Sequence, residues 1–169
     1  MIERKKALLI VSGEGGHTVQ MERLLSHLDF QKNNLTFSII LLTDTKRIKS
    51  EFNNSFDQVY YVPQLRNKVS KLNSKLMFPV VFMRNIVTVL SIYYKWQITV
   101  VLSTGPGVAI LPFLFAKLFR VQSIFIEDWS KFTSLTITGR IVKYFVTYFL
   151  VQNKELLPFV SKGRYVGRL

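Results

Sequence analysis

Cysteine is absent from the 169-residue sequence. That excludes a disulfide scaffold, a thiolate zinc site and thiol catalysis, and it fits a reducing compartment. Acidic residues are scarce: 10 Asp and Glu stand against 23 Lys and Arg, a formal net charge of +13. None lies between Gln58 and Ile126, where Arg66, Lys68, Lys71, Lys75, Arg84, Lys95, Lys117 and Arg120 fall. So sparse a set of carboxylates makes a poor magnesium cage. No uninterrupted apolar run reaches about 18 residues, so no conventional membrane span is expected. The first apolar run, Ala7–Val11, breaks at Ser12-Gly13 and is too short for a signal-peptide core. Internal repeats and low-complexity linkers are also missing. One domain, residues 1–169, accounts for the length.

What is present is apolar and basic. Hydrophobic residues make up 49%, with 14 Phe, 7 Tyr and 2 Trp, which excludes a disordered chain and exceeds what a freely soluble domain needs. A basic, apolar surface suits an anionic membrane before nucleic acid. The basic clusters lack interleaved aromatic residues on which bases could stack, so no nucleic-acid partner is expected.

Short apolar runs at Ala7–Val11, Phe37–Leu42, Val59–Val62, Thr99–Leu102, Ser123–Ile126 and Phe149–Val151 hardly alternate with polar residues. Such runs suit strands buried on both faces of a parallel sheet. Helical patterns lie between them. Met21, Leu24, Leu25 and Leu28 share one helix face behind Thr18 as a cap, and Val108–Phe119 and Ile137–Tyr148 are further helices. The alternation predicts an α/β fold with an open parallel, Rossmann-like sheet.

Between the third and fourth predicted strands, Gln64–Lys75 reads as a basic loop and Leu76–Tyr94 as a helix apolar around most of its circumference. Such a helix is either core or wedged into lipid. The neighbouring Arg66, Lys68, Lys71 and Lys75 favour lipid, each being worth about 1 kcal/mol near an anionic leaflet. Met77 and Val81 are the apolar attachment residues of this reading.

Two glycine-rich turns each join a strand to a helix: Ser12-Gly13-Glu14-Gly15-Gly16-His17-Thr18 and Ser103-Thr104-Gly105-Pro106-Gly107. Glycines turn the backbone tightly and let a ligand approach the amides, and the helix that follows adds its positive end. Neither turn is a Walker loop, since no Gly-Lys-Ser/Thr follows. Nor is the first a dinucleotide fingerprint, because its glycine spacing differs and no acidic residue closes the second predicted strand. His17 is a base, a phosphate ligand or a helix cap on these grounds. Glu127-Asp128, at the end of the strand Ser123–Ile126, reaches the same sheet edge and suits a hydroxyl ligand or base better than an anion site.

These motifs occur in one order with Leu-Thr-Ile-Thr-Gly-Arg (135–140) and the closing Tyr-Val-Gly-Arg-Leu (165–169). Together they resemble the membrane-associated, acceptor-binding subunit of the split UDP-N-acetylglucosamine transferase of lipid-linked oligosaccharide synthesis, and its bacterial capsule and exopolysaccharide relatives. More distantly they resemble the amino-terminal half of the lipid II-forming enzyme, a two-domain GT-B glycosyltransferase. The resemblance implies the amino-terminal half of a GT-B fold, inactive without a donor-binding glycosyltransferase subunit. It further implies a polyprenyl-diphosphate-linked acceptor and a peripheral place on the cytoplasmic face of an anionic membrane surface. Gly13, Gly15, Gly16, His17, Thr18, Gly105 and Gly107 would hold the acceptor diphosphate, and His17 or Glu127 would meet the sugar hydroxyl; the resemblance implies no metal site and no cofactor. A non-catalytic membrane scaffold for a separate transferase is the alternative. Only six residues precede Ala7, whereas the eukaryotic subunit carries an amino-terminal membrane helix. Attachment is therefore expected through Leu76–Tyr94 and its basic loop.

Overall fold

A computed structural model describes residues 4–27, 36–45, 56–64 and 71–169, with side chains in the helix that starts at Lys71 described from Phe78 onward. Seven strands form one sheet: β1 (Lys6–Ser12), β2 (Ser38–Thr43), β3 (Gln58–Tyr61), β4 (Gln97–Ser103), β5 (Gln122–Ile126), β6 (Tyr148–Val151) and β7 (Gly163–Tyr165). Their order is β3-β2-β1-β4-β5-β6-β7, and every neighbouring pair is parallel. The helices are α1 (Gly16–His27), α2 (Lys71–Lys95), α3 (Ile110–Leu118, after a 3-10 turn at Gly107–Ala109) and α4 (Ile137–Val142).

Strand periodicity divides the core between the two faces of the sheet. Ile10, Ile39 and Leu41 pack with Met21 and Leu25 of α1. Their alternates Leu9, Val11, Ile40 and Leu42 join Val89 and Ile92 of α2, Leu111 and Phe113 of α3, and Val142 of α4. All six residues of β2 are buried. That is why this run shows no polar alternation.

The chain leaves β1 toward β2 and β3 on one side, and β4 toward β5, β6 and β7 on the other. The turns after β1 and β4 therefore part in opposite directions. Their divergence opens a crevice at the carboxyl edge, where open α/β sheets bind ligands.

The predicted architecture stands, with four local corrections. The helix expected over Ile137–Tyr148 stops at Val142; Tyr148 already pairs with Ile124 as the first residue of β6. Aromatic and branched residues in Tyr148–Val151 favour the strand. β7 was not foreseen, because Gly163–Tyr165 is too short to show a period. β2 runs one residue past Leu42, so Asp44 does follow the second strand directly, against the expectation that no acid would. Finally, α2 begins at Lys71, which places Lys71 and Lys75 in the helix rather than in a basic loop. Arg66 and Lys68 lie outside the described residues, as do the side chains of Lys71, Lys75 and Met77.

Helix α2 has two apolar faces. One is core: Asn85, Val89, Ile92 and Tyr93 are buried, Asn85 Nδ2 donates to the Pro63 carbonyl at 3.1 Å, and the Tyr93 hydroxyl donates to the Pro112 carbonyl at 2.9 Å. The other is bare. Val80, Met83, Val87, Leu90 and Tyr94 follow one another three or four residues apart and are 60, 59, 59, 39 and 84% exposed. Val81, expected on the outer face, is half-buried beside that stripe. Among the described residues, no helix is long and apolar enough to cross a membrane.

Candidate active site

The turns after β1 and β4 are tied together across the crevice. Ser103 Oγ donates to the Val11 carbonyl at 2.8 Å, and Thr104 Oγ1 donates to the His17 carbonyl at 2.9 Å. The closest packing is at Gly13, where an added Cβ would sit 2.3 Å from Cβ of Pro106. Only glycine lets the two turns meet there. Thr18 Oγ1, on the first turn of α1, donates to the Gly13 carbonyl and braces the loop from behind.

His17 Nδ1 lies 2.8 Å from the Thr104 carbonyl oxygen. A carbonyl only accepts, so Nδ1 carries the hydrogen, and Nε2 holds the lone pair in the neutral ring. One backbone contact thereby fixes both the tautomer and the ring orientation. Gly105, at φ +108°, leaves room for it: a Cβ would stand 3.3 Å from His17 Cε1 and 3.5 Å from Phe125 Cζ.

His17 opens onto a cleft of about 420 Å³ whose walls come from the loops after β1, β2, β3, β4 and β5. Gly105, Pro106, Gly107 and Val108 form the β4 side, Glu14, Asp44 and Gln64 one flank, and Lys131 with Thr136–Thr138 the other. Asp44 Oδ1 accepts from the Glu14 amide at 2.9 Å, and Gln64 Nε2 donates to Glu14 Oε2 at 2.8 Å. Burial pushes the Asp44 carboxyl above its ordinary range, opposed by the Glu14 amide and the nearby His17. Lys131 is placed by a turn in which its amide donates to the Asp128 carbonyl at 3.1 Å. Asn153 Nδ2 holds the same turn through the Trp129 and Lys131 carbonyls, at 2.8 and 2.6 Å.

Of the residues expected to bind a ligand, His17, Gly105 and Gly107 stand on the cleft wall. Gly13, Gly15, Gly16 and Thr18 shape the turn behind it, with Gly15 at φ +84°. The amides of Gly16 and His17, in the first turn of α1, have no earlier helical carbonyl to reach and remain anion donors by geometry.

Glu127 departs from its expected role. It is 0% exposed, with Oε1 accepting from the Asp128 amide at 2.9 Å and Oε2 from the Thr136 amide at 3.2 Å. A Cβ at Gly139 would fall 2.0 Å from Oε2. Burial raises its carboxyl above the usual range, though the amide bonds pull the other way. The side chain does not reach the cleft; it holds Thr136 in place, and Thr136 does. Sequence reasoning missed Asp44, Gln64, Lys131 and Thr136–Thr138 as wall residues. Asp44 left a signal as an acid directly after a buried strand, and Thr136–Thr138 lie within the 135–140 motif, to which no site role had been given.

The family model described as "Oligosaccharide biosynthesis protein Alg14 like" matches residues 8–169. The UDP-N-acetylglucosamine transferase subunit alg14 of Schizosaccharomyces pombe is 26% identical over 181 residues, covering 96% of this chain and 83% of its own. The Homo sapiens subunit ALG14 is 23% identical, covering 96% and 82%. Among solved structures, MurG of Acinetobacter baumannii superposes with a TM-score of 0.65 at 13% identity, and a UDP-N-acetylglucosamine 2-epimerase with 0.64 at 11%. The chain is covered to 98% in both cases but spans only 46% and 49% of those longer chains. At such identities the likeness is one of fold: this sheet matches half of a GT-B molecule.

Proposed function

The chain belongs to the Alg14-like family of oligosaccharide biosynthesis proteins, and on that premise we propose that it is the acceptor-binding subunit of a UDP-sugar glycosyltransferase. The acceptor is a saccharide on polyprenyl diphosphate, destined for capsule, exopolysaccharide or lipid-linked oligosaccharide. A separate chain carrying the other half of the GT-B fold binds the nucleotide sugar. Two features support the incomplete-enzyme reading: the sheet corresponds to about half of each GT-B-like chain it resembles, and the curated relatives are themselves named as subunits.

The observation that carries the site is the His17–Thr104 contact. With Nδ1 fixed as donor, Nε2 faces its ligand as a lone pair. His17 then takes the proton of the acceptor hydroxyl as its oxygen bonds to the anomeric carbon of the donor sugar. The bond from that carbon to the nucleoside diphosphate breaks, and its electron pair leaves with the diphosphate. Lys131 and the first amides of α1 bind the acceptor's diphosphate, while the carboxylates of Asp44 and Glu14 meet sugar hydroxyls on the opposite flank. Glu127, being enclosed, acts through the Thr136 segment and not on the substrate.

In the complex with its partner chain, His17→Ala should lower kcat by about 10²–10⁴ and leave the acceptor KM nearly unchanged. A raised KM with surviving kcat would make His17 a diphosphate ligand instead. Wild-type values for both would support the non-catalytic scaffold.

The same reading attaches the protein to the membrane through the outer face of α2. Five exposed apolar residues in one stripe, from Val80 to Tyr94, are more than scattered surface residues. Arg84 and Lys95 flank them. A bilayer is the partner that accommodates both.

A further inference from the structure

A second cleft, larger than the one at the carboxyl edge, lies elsewhere on the described residues. This cleft of about 960 Å³ opens at the opposite, amino-terminal edge of the sheet, where β4 and β5 begin and α2 and α3 end. Its size is at the upper end of small-molecule sites, about 300–1,000 Å³. Tyr94, Trp96 and Phe119 line it together with Arg4 and Arg120, and no acidic residue does so among the described residues. Arg4 is pinned there by Nη1 donating to the Tyr93 carbonyl at 3.1 Å. Lys95, between the lining residues Tyr94 and Trp96 in the chain, sets its Nζ 5.5 Å from the centre of the Trp96 ring.

Arg120 is the unusual member. It has φ 57°, the sole positive value at a non-glycine among the described residues. It closes α3 in a Schellman turn: its own amide donates to the Lys117 carbonyl at 3.3 Å, and the Val121 amide donates to the Ala116 carbonyl at 2.8 Å. Glycine is the residue that position favours. A strained arginine in its place puts a guanidinium on the cleft wall, at a conformational cost a glycine would avoid.

The cleft is continuous with the bare stripe of α2, since Leu90 and Tyr94 belong to both. We propose that it binds an anionic phospholipid of the bilayer, with the phosphate between Arg4 and Arg120 and an acyl chain leaving over Leu90 and Tyr94. Charge complementarity selects the headgroup, and the stripe supplies the apolar path. This inference rests on the reading that the outer face of α2 lies against the membrane. It adds a lipid site at the edge of the sheet remote from His17.

The chain has two tryptophans, and Trp129 lies under Arg23 away from this cleft. Trp129→Phe therefore leaves Trp96 as the reporter. The test mixes that variant with phosphatidylcholine vesicles containing phosphatidylglycerol brominated on its acyl chains. Trp96 fluorescence should be quenched, and Arg120→Gly should weaken vesicle binding about fivefold, the equivalent of about 1 kcal/mol for one basic side chain. Arg120→Lys should retain most of the affinity. Because glycine suits the backbone at 120, Arg120→Gly should melt no lower than the parent, which separates lost binding from lost folding. Co-sedimentation with these vesicles without Trp96 quenching would overturn the lipid site and leave the α2 reading standing. Equal quenching by brominated phosphatidylcholine, or undiminished binding by Arg120→Gly, would also overturn it. Failure to co-sediment at all would remove the α2 reading and this inference with it.

Discussion

At the scale of single residues, the site depends on backbone contacts as much as on side chains. His17 owes its tautomer to the Thr104 carbonyl, and Thr136 owes its position to Glu127. Glu127 also yields a pH prediction. Burial is the dominant influence and raises its folded-state pKa above the ordinary 4.5. A carboxyl so shifted contributes most to stability below its unfolded pKa and loses that contribution as pH rises through the folded value. Urea unfolding across this range should therefore show the wild type losing ground to Glu127→Gln as pH rises above 4.5. A gap that widens in favour of the wild type would mean that the two amide bonds outweigh burial. At low pH, Gln sets an NH2 group against one of those amides, and Glu127→Gln should then be the less stable by about 1–3 kcal/mol. The glycine-rich turns were legible in the sequence because glycine, like His17, is chemically conspicuous. The burial of Glu127 was not, since it depends on Gly139, twelve positions later, leaving space for Oε2.

At the scale of elements, α2 joins the fold to its surroundings. The sequence shows a helix apolar nearly all round, a pattern that core and lipid both satisfy. The structure divides the circumference, giving Val89 and Ile92 to the sheet and Val80, Met83 and Val87 to the outside. Which side is outer depends on how the helix lies on β4 and α3, and periodicity alone carries no such information. Val80→Asp with Val87→Asp, both at exposed positions, should leave the unfolding free energy within about 0.5 kcal/mol of wild type. The same pair should abolish most co-sedimentation with anionic vesicles. A double variant that still binds would place the attachment elsewhere. The premature end of α4 at Val142 has a similar origin: Ile137–Tyr148 is periodic enough for a helix, and the demand of β5 for a parallel partner claims Tyr148.

At the scale of the whole molecule, strand order makes the function possible. Because β1 and β4 are neighbours while the chain departs from them in opposite directions, His17, Gly105, Asp44 and Lys131 meet at one edge from four separate loops. The run of buried strands made the parallel sheet legible from sequence. The order of those strands was not, because pairing between distant segments leaves no local mark. On the reading proposed above, that edge faces a donor half supplied by another chain. The most direct test measures transfer from a UDP-sugar to a polyprenyl-diphosphate saccharide by this chain alone, by the donor-binding partner alone, and by the two mixed. Turnover is expected only in the mixture. Appreciable transfer by this chain alone would contradict the account.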